Sequence, residues 1–170
     1  SLYFYYVFEW INNGTGEMWV QEISNDLTTL LGSPKSLFKG GDAKWSNVVI
    51  DGPSMLFYQG IYYLFWSSFN GQNNGYYCAG YAKSSNPFGP FVQSEKPVIW
   101  DDGGHSTWFI ENFSQNLKIT YHKPNGPAGK ERAEIKSLAF DESKQHWFVD
   151  PAEPPYISNT LWNILSAGII

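Results

Sequence analysis

A single cysteine, Cys78, stands among the 170 residues. One thiol can build neither an internal disulfide framework nor a cysteine-based zinc site. Charge is also scarce, at 16% of residues, too little for a chain held unfolded by its own repulsion. Basic residues are the rarer sign: 11 Lys and Arg against 16 Asp and Glu leave a net charge of −5. Binding along a phosphate backbone needs a basic stripe, so nucleic acid is not an expected partner. No apolar run reaches the roughly 18 residues of a membrane-spanning helix. The start, Ser1-Leu2-Tyr3-Phe4-Tyr5-Tyr6-Val7-Phe8, has neither Met nor the basic leader of a signal peptide. It reads as a strand that begins at once, as in a chain cut from, or numbered within, a longer protein.

What is present in excess is aromatic: 8 Trp, 11 Tyr and 12 Phe. The length suits one domain or part of one, and suffices to bury a sizeable core. Aromatic side chains fit pleated, half-buried surfaces. Exposed in a cleft, their faces also suit sugar rings.

Three strand-like segments stand out: Leu2 to Trp10, Ile61 to Phe69 and Leu117 to Pro124. Each runs into a turn rich in Gly and Asn: Asn12-Asn13-Gly14, Asn70 to Gly75, and Asn125-Gly126-Pro127. A second strand then begins near Glu17, Tyr76 and Arg132, each time fifteen residues after the first began. Two units carry a further strand upstream, Ser54 to Tyr58 and Thr107 to Phe113. Each unit has a later apolar stretch: Leu37-Phe38, Val98-Ile99-Trp100 and Trp147-Phe148-Val149. Four short strands recurring over roughly 55–60 residues match a β-propeller blade, a four-stranded antiparallel sheet repeated about an axis. An ordinary β-sandwich also spaces its strands evenly, but gives no reason for the constant offset. The expected architecture is all-β, with about three blades over 1–48, 49–101 and 102–170 of a single domain, the first lacking its inner strand. Propellers hold 4–8 blades, so a missing segment or a second chain is expected to complete the ring. The stretch Tyr156 to Leu165 reads either as a further blade or as a short helix.

The innermost strand of a blade lines the central channel, so polar residues at its mouth are candidates for chemistry. Asp51, in Asp51-Gly52-Pro53-Ser54, and His105, in Gly103-Gly104-His105-Ser106-Thr107, occupy comparable places. From pattern alone each is equally a turn residue. Asp26, Asp42, Asp101, Asp102, Asp141 and Glu142 read as solvated turn residues. Trp66 and Cys78 read as core. Trp45 and Trp100, just ahead of the two mouths, are candidate platforms for a sugar ring.

The motifs Asp51-Gly52-Pro53-Ser54-Met55-Leu56, Gly60 to Ser68 and Gly75 to Ser84, running into Asn86-Pro87-Phe88-Gly89-Pro90-Phe91, resemble glycoside hydrolase family 43. So do Asp102-Gly103-Gly104-His105, Tyr121-His122-Lys123-Pro124-Asn125 with Glu131-Arg132, and, upstream, Glu22 to Leu27 with Leu31-Gly32-Ser33-Pro34. The motif order is kept from about residue 2 to about residue 150. The resemblance implies a five-bladed propeller that hydrolyses α-L-arabinofuranosides or β-D-xylosides of plant cell-wall polysaccharide with inversion. Such chemistry uses one carboxylic acid to protonate the leaving oxygen and one carboxylate to activate water. It places Asp51 as the general acid, where most relatives have Glu. It makes His105 a candidate holder, direct or through water, of a structural Ca²⁺ in the channel, and brings His122 and Arg132 near the sugar. From the residues alone, His122 is equally a strand hydrogen-bonding residue, and Arg132 an ion-pair partner of Glu131 or Glu134. The family's general base and the carboxylate that adjusts the acid's pKa match nothing in these 170 residues. A non-catalytic carbohydrate-binding propeller, or a structural piece of one, is the rival reading. Action on wall polysaccharide implies a secreted or periplasmic protein, with the cytoplasm as the alternative.

Overall fold

In the computed structural model, residues 1–10, 15–71 and 75–149 are described. The turn residues 11–14 and 72–74, and the segment Tyr156 to Leu165, lie outside them. The chain is all-β, in three antiparallel meanders. The first sheet holds β1 (Leu2–Phe8), β2 (Glu17–Ile23) and β3 (Leu30–Lys39); the second holds β4 (Asp51–Tyr58), β5 (Ile61–Phe69), β6 (Tyr77–Ser84) and β7 (Val92–Gln93). The third holds β8 (Gly104–Ile110), β9 (Leu117–Lys123), β10 (Arg132–Asp141) and β11 (His146–Val149). In each sheet the strands pair in chain order, as short turns dictate for antiparallel neighbours. Among the described residues no helix is long and apolar enough to cross a membrane.

The sheets stack face to face as successive blades. Alternation along the middle blade shows why. On β5, Leu64 and Trp66 face the first blade with Met18, Phe38, Trp45 and Ile50. Tyr63 and Phe65 face the third with Ile119, Leu138 and Trp147. Cys78 and Ala82 of β6 follow the first set, Ala79 and Tyr81 the second. Side chains alternate between faces along a strand, and here both faces are covered, so β5 reads as a continuous apolar run from Ile61 to Trp66. Burial pushes the Cys78 thiol up to about 12, so it behaves as a small apolar residue. Gly80 has a packing reason: a Cβ there would lie 2.4 Å from Cζ2 of Trp45.

The inner strands β4 and β8 lie side by side. Ser54 Oγ and Thr107 Oγ1 are 3.2 Å apart, and Trp108 Nε1 donates to the Met55 carbonyl at 2.8 Å. Their arrangement steers both strand mouths to one place.

Several element boundaries differ from the sequence expectation. The fourth strand of the middle blade is Val92–Gln93, which pairs with Ala82 and Lys83 of β6. Val98 and Ile99 follow on the same edge but make only a bridge to Ala79, because both are drawn into the core between the blades. The inner strands of the middle and third blades both start three residues early, at Asp51 and Gly104, and the latter ends at Ile110. Phe113 is fully exposed.

Candidate active site

Both inner strands open with the same irregularity. Asp51 pairs with Ser67 and Ser54 with Phe65, so three steps on β4 oppose two on β5. Gly104 pairs with His122 and Thr107 with Thr120 in the same way. Such a bulge bends the strand and re-aims its side chains. The structural counterpart of Asp51 is therefore Gly104, and that of His105 is Gly52, one residue off the expected equivalence. Gly52 and His105 both take the left-handed backbone, at φ 56° and 53°. That is free for Gly but costs a non-Gly residue roughly 1 kcal/mol. They also back onto each other: a Cβ on Gly52 would lie 3.2 Å from Cα and Cγ of His105.

The two bulges bring the side chains together. His105 Nδ1 lies 3.3 Å from Asp51 Oδ2, with 59% of the His105 and 29% of the Asp51 side chain exposed. The Tyr77 hydroxyl donates to the same oxygen at 3.0 Å, and the Gly52 amide donates to Oδ1 at 2.8 Å. Burial, then the charge and hydrogen bond of Asp51, hold the Tyr77 hydroxyl well above the ordinary tyrosine value, so it remains a donor at neutral pH. Both oxygens of the Asp51 carboxyl are thus held, Oδ1 by the Gly52 amide and Oδ2 by Tyr77, while part of the side chain stays exposed.

The supporting groups escaped the sequence reading. Tyr77, Ser67, Ser68, Asp102 and Gly104 all sit in motifs that were legible, but their roles depend on which neighbour they meet. The buried Ser67 Oγ accepts from the His105 amide at 2.8 Å. The buried Ser68 Oγ donates to the Val49 carbonyl at 2.7 Å, tying down the approach to Asp51. Asp102 is not merely a solvated turn residue. Its carboxylate accepts from the amides of Tyr77 at 3.4 Å and Asn125 at 3.1 Å, linking β6 to the turn after β9. Gly104 leaves room for Tyr77, whose Cε1 would lie 2.3 Å from any Cβ there. The only advance signal was the glycine pair before His105.

A cleft of about 310 Å³ is lined by His105, Tyr121, His122, Glu131 and Arg132. The His122 ring stacks on Tyr77, with centroids 5.4 Å apart, and its Nδ1 is buried with no partner among the described residues. Arg132 donates to the carbonyls of Gly129 and Glu131 rather than forming the ion pair weighed from sequence. Burial, then the charges of Asp101 and Glu134, push the Tyr121 hydroxyl up to about 12, so it too stays protonated. Trp100 is 69% exposed, its ring open to solvent. Trp45 is 4% exposed. Its ring packs on Trp66 at 4.5 Å and its Nε1 donates to the Ser94 carbonyl. This corrects the expectation of a sugar platform at Trp45: with both blades pressed on it, no ring face is free.

The family model described as glycosyl hydrolases family 43 matches residues 2–140. The chain belongs to this family. An endo-arabinase from Bacteroides thetaiotaomicron VPI-5482 is 32% identical, with a TM-score of 0.75 over 82% of this chain and 52% of that one. A thermostable family-43 glycoside hydrolase is 26% identical, with a TM-score of 0.74 over 92% and 57%. An endo-1,4-beta-xylanase from the same Bacteroides strain, 24% identical with a TM-score of 0.73 over 92% and 57%, shares the fold. The chain thus spans about half the length of these structures. No curated protein matches it. For a family 43 chain, the three meanders are successive blades of a β-propeller.

Calcium was expected beside His105. Among the described residues no three His, Cys, Asp or Glu side chains converge. Asp51 and His105 supply two groups where calcium takes six to eight oxygens. These residues do not by themselves fit a calcium site.

Proposed function

We propose that the protein containing this chain is an inverting glycosidase acting on α-L-arabinofuranosides or β-D-xylosides of wall polysaccharide, with Asp51 as its general acid. The observation that carries the reading is the Asp51 carboxyl at the mouth of β4, pinned by Tyr77 and facing His105 beside an open cleft. In the reaction Asp51 gives its proton to the glycosidic oxygen as the bond to the sugar lengthens, and water attacks from the opposite face with help from a second carboxylate. On this reading that carboxylate and the one that tunes the acid come from polypeptide other than these residues. The tyrosine hydroxyl limits the rotation of a shorter-than-usual acid. A displacement of about 1 Å at such a group can cost ~100-fold in rate, so the pinning matters more for Asp than for Glu. His122 and Arg132 hold the sugar from the cleft side.

The test is hydrolysis of arabinofuranosides and xylosides by the full-length protein and its Asp51→Ala and Asp51→Glu variants. General acid catalysis contributes about 10²–10⁴-fold. Asp51→Ala is expected to lose that much on oligosaccharides and far less on aryl glycosides, whose leaving group departs without a proton. Equal rates for wild type and Asp51→Ala on oligosaccharides would remove Asp51 from the chemistry. Oligosaccharide binding without any turnover by the wild type would favour a carbohydrate-binding propeller.

A further inference from the structure

Far from Asp51, a hollow of about 440 Å³ opens between the outer parts of the middle and last blades. Tyr77, which touches Asp51, and Lys83, which lines the hollow, lie six residues apart on β6, about 20 Å along the strand at ~3.3 Å per residue. Positive charge collects there in a chain of net charge −5: Lys83, Lys96 and Lys144 all line it, against one lining carboxylate, Glu95. Lys144 is held by Asp141 at 2.9 Å. Lys83 and Lys96 have no ion-pair partner among the described residues.

Gln93 lies on the rim but turns its side chain to the opposite face of the sheet, where its Oε1 accepts from Trp66 Nε1 at 3.1 Å. His146 Nδ1 and the Tyr81 hydroxyl are 3.1 Å apart. Burial first, then Lys96, hold His146 below the ordinary histidine value, with Lys144 and Lys83 acting the same way and Asp141 opposing them. All three ammonium groups therefore act on the same spot. The Tyr81 ring and Val92 supply apolar lining beside them.

We propose that this hollow is an oxyanion site that holds the carboxylate of a uronic-acid unit, anchoring an acidic polysaccharide away from the catalytic cleft. Lys83 and Lys96 attract the carboxylate, and Tyr81 with Val92 packs against the sugar ring. The volume exceeds the needs of a bare inorganic ion. The choice of a sugar carboxylate over free phosphate rests on the carbohydrate reading of the Asp51 site.

Calorimetric titration of the full-length protein with trigalacturonic acid, neutral xylotriose and inorganic phosphate tests this. The Lys83→Gln/Lys96→Gln double variant is expected to bind trigalacturonic acid at least tenfold more weakly than the wild type. It is expected to keep the wild-type thermal midpoint and wild-type hydrolysis of aryl glycosides. No trigalacturonic acid binding by the wild type, or binding unchanged in the double variant, would overturn the site. Phosphate bound more tightly than the uronate would overturn the sugar assignment. Uronate binding lost in the double variant, in a protein that hydrolyses no glycoside, would leave this site standing and sink the glycosidase reading.

Discussion

At the scale of single residues, the site turns on one hydroxyl. Tyr77 reaches Asp51 Oδ2 from the third strand of the same blade, and its ring is held by the His122 stack. Tyr77→Phe removes the hydrogen bond and keeps the ring. A hydrogen bond to a charged group is worth roughly 1.5–3 kcal/mol, so kcat is expected to fall about 10- to 100-fold. KM and the thermal midpoint should move little. Steady-state kinetics on oligosaccharides checks this, and a change confined to KM would show that Tyr77 serves sugar binding instead. His105 gives a second residue-scale test, because its backbone is left-handed. His105→Gly is expected to be about 1 kcal/mol more stable than His105→Ala, although both lose the imidazole. Denaturant midpoints measure the difference, and equal stabilities would mean that the backbone relaxes once the side chain is gone.

At the scale of elements, the paired bulges on β4 and β8 are the device that makes a site from two strands. Without them the alternation of side chains would send Asp51 and His105 wherever the pleat dictated. The bulges work only because glycine stands at the crowded points. Gly104→Ala would press a methyl against Tyr77, and overpacking of this kind costs roughly 1–3 kcal/mol. Activity is expected to fall further than the stability loss explains, since the displaced ring carries the hydroxyl that pins Asp51. Gly80→Ala meets Trp45 instead. It should lower the thermal midpoint comparably and leave kcat close to wild type when measured well below that midpoint. A matched loss of kcat in both variants would refute the separation of packing from positioning.

For the molecule as a whole, stability should depend on pH through the contact between the last two blades. His146 is held below 6.5 in the folded state, by burial first. Above that value the folded and unfolded chains both carry a neutral ring, and it contributes no pH dependence. As pH falls below 6.5, the unfolded chain takes up a proton that the folded chain resists, so stability falls until the folded ring also protonates. Asp141 adds a second loss lower down. Hydrogen bonds from Ser143, then Lys144, hold its carboxyl below the ordinary aspartate value, so its stabilisation is present above that value and disappears as pH drops through the folded pKa. Thermal midpoints from pH 8 to 5 are expected to decline on the acid side, with a shallower slope in His146→Gln. An unchanged slope would remove His146 as the source.

The sequence by itself determined the strands, their turns and their recurrence, because a two-residue alternation and Gly-Asn turns are local properties. It also carried the family motifs in order, and with them Asp51, His105, His122 and Arg132. Only the tertiary structure decided which aromatic faces are free. The middle blade is covered on both sides, so nothing polar marks one face from the other, and Trp45 and Trp100 looked alike until one proved buried and the other exposed. Tyr77, Asp102 and the bulges were hidden for a related reason. Each acts across a contact between segments well separated in the chain, and such contacts are set by how the strands and blades pack.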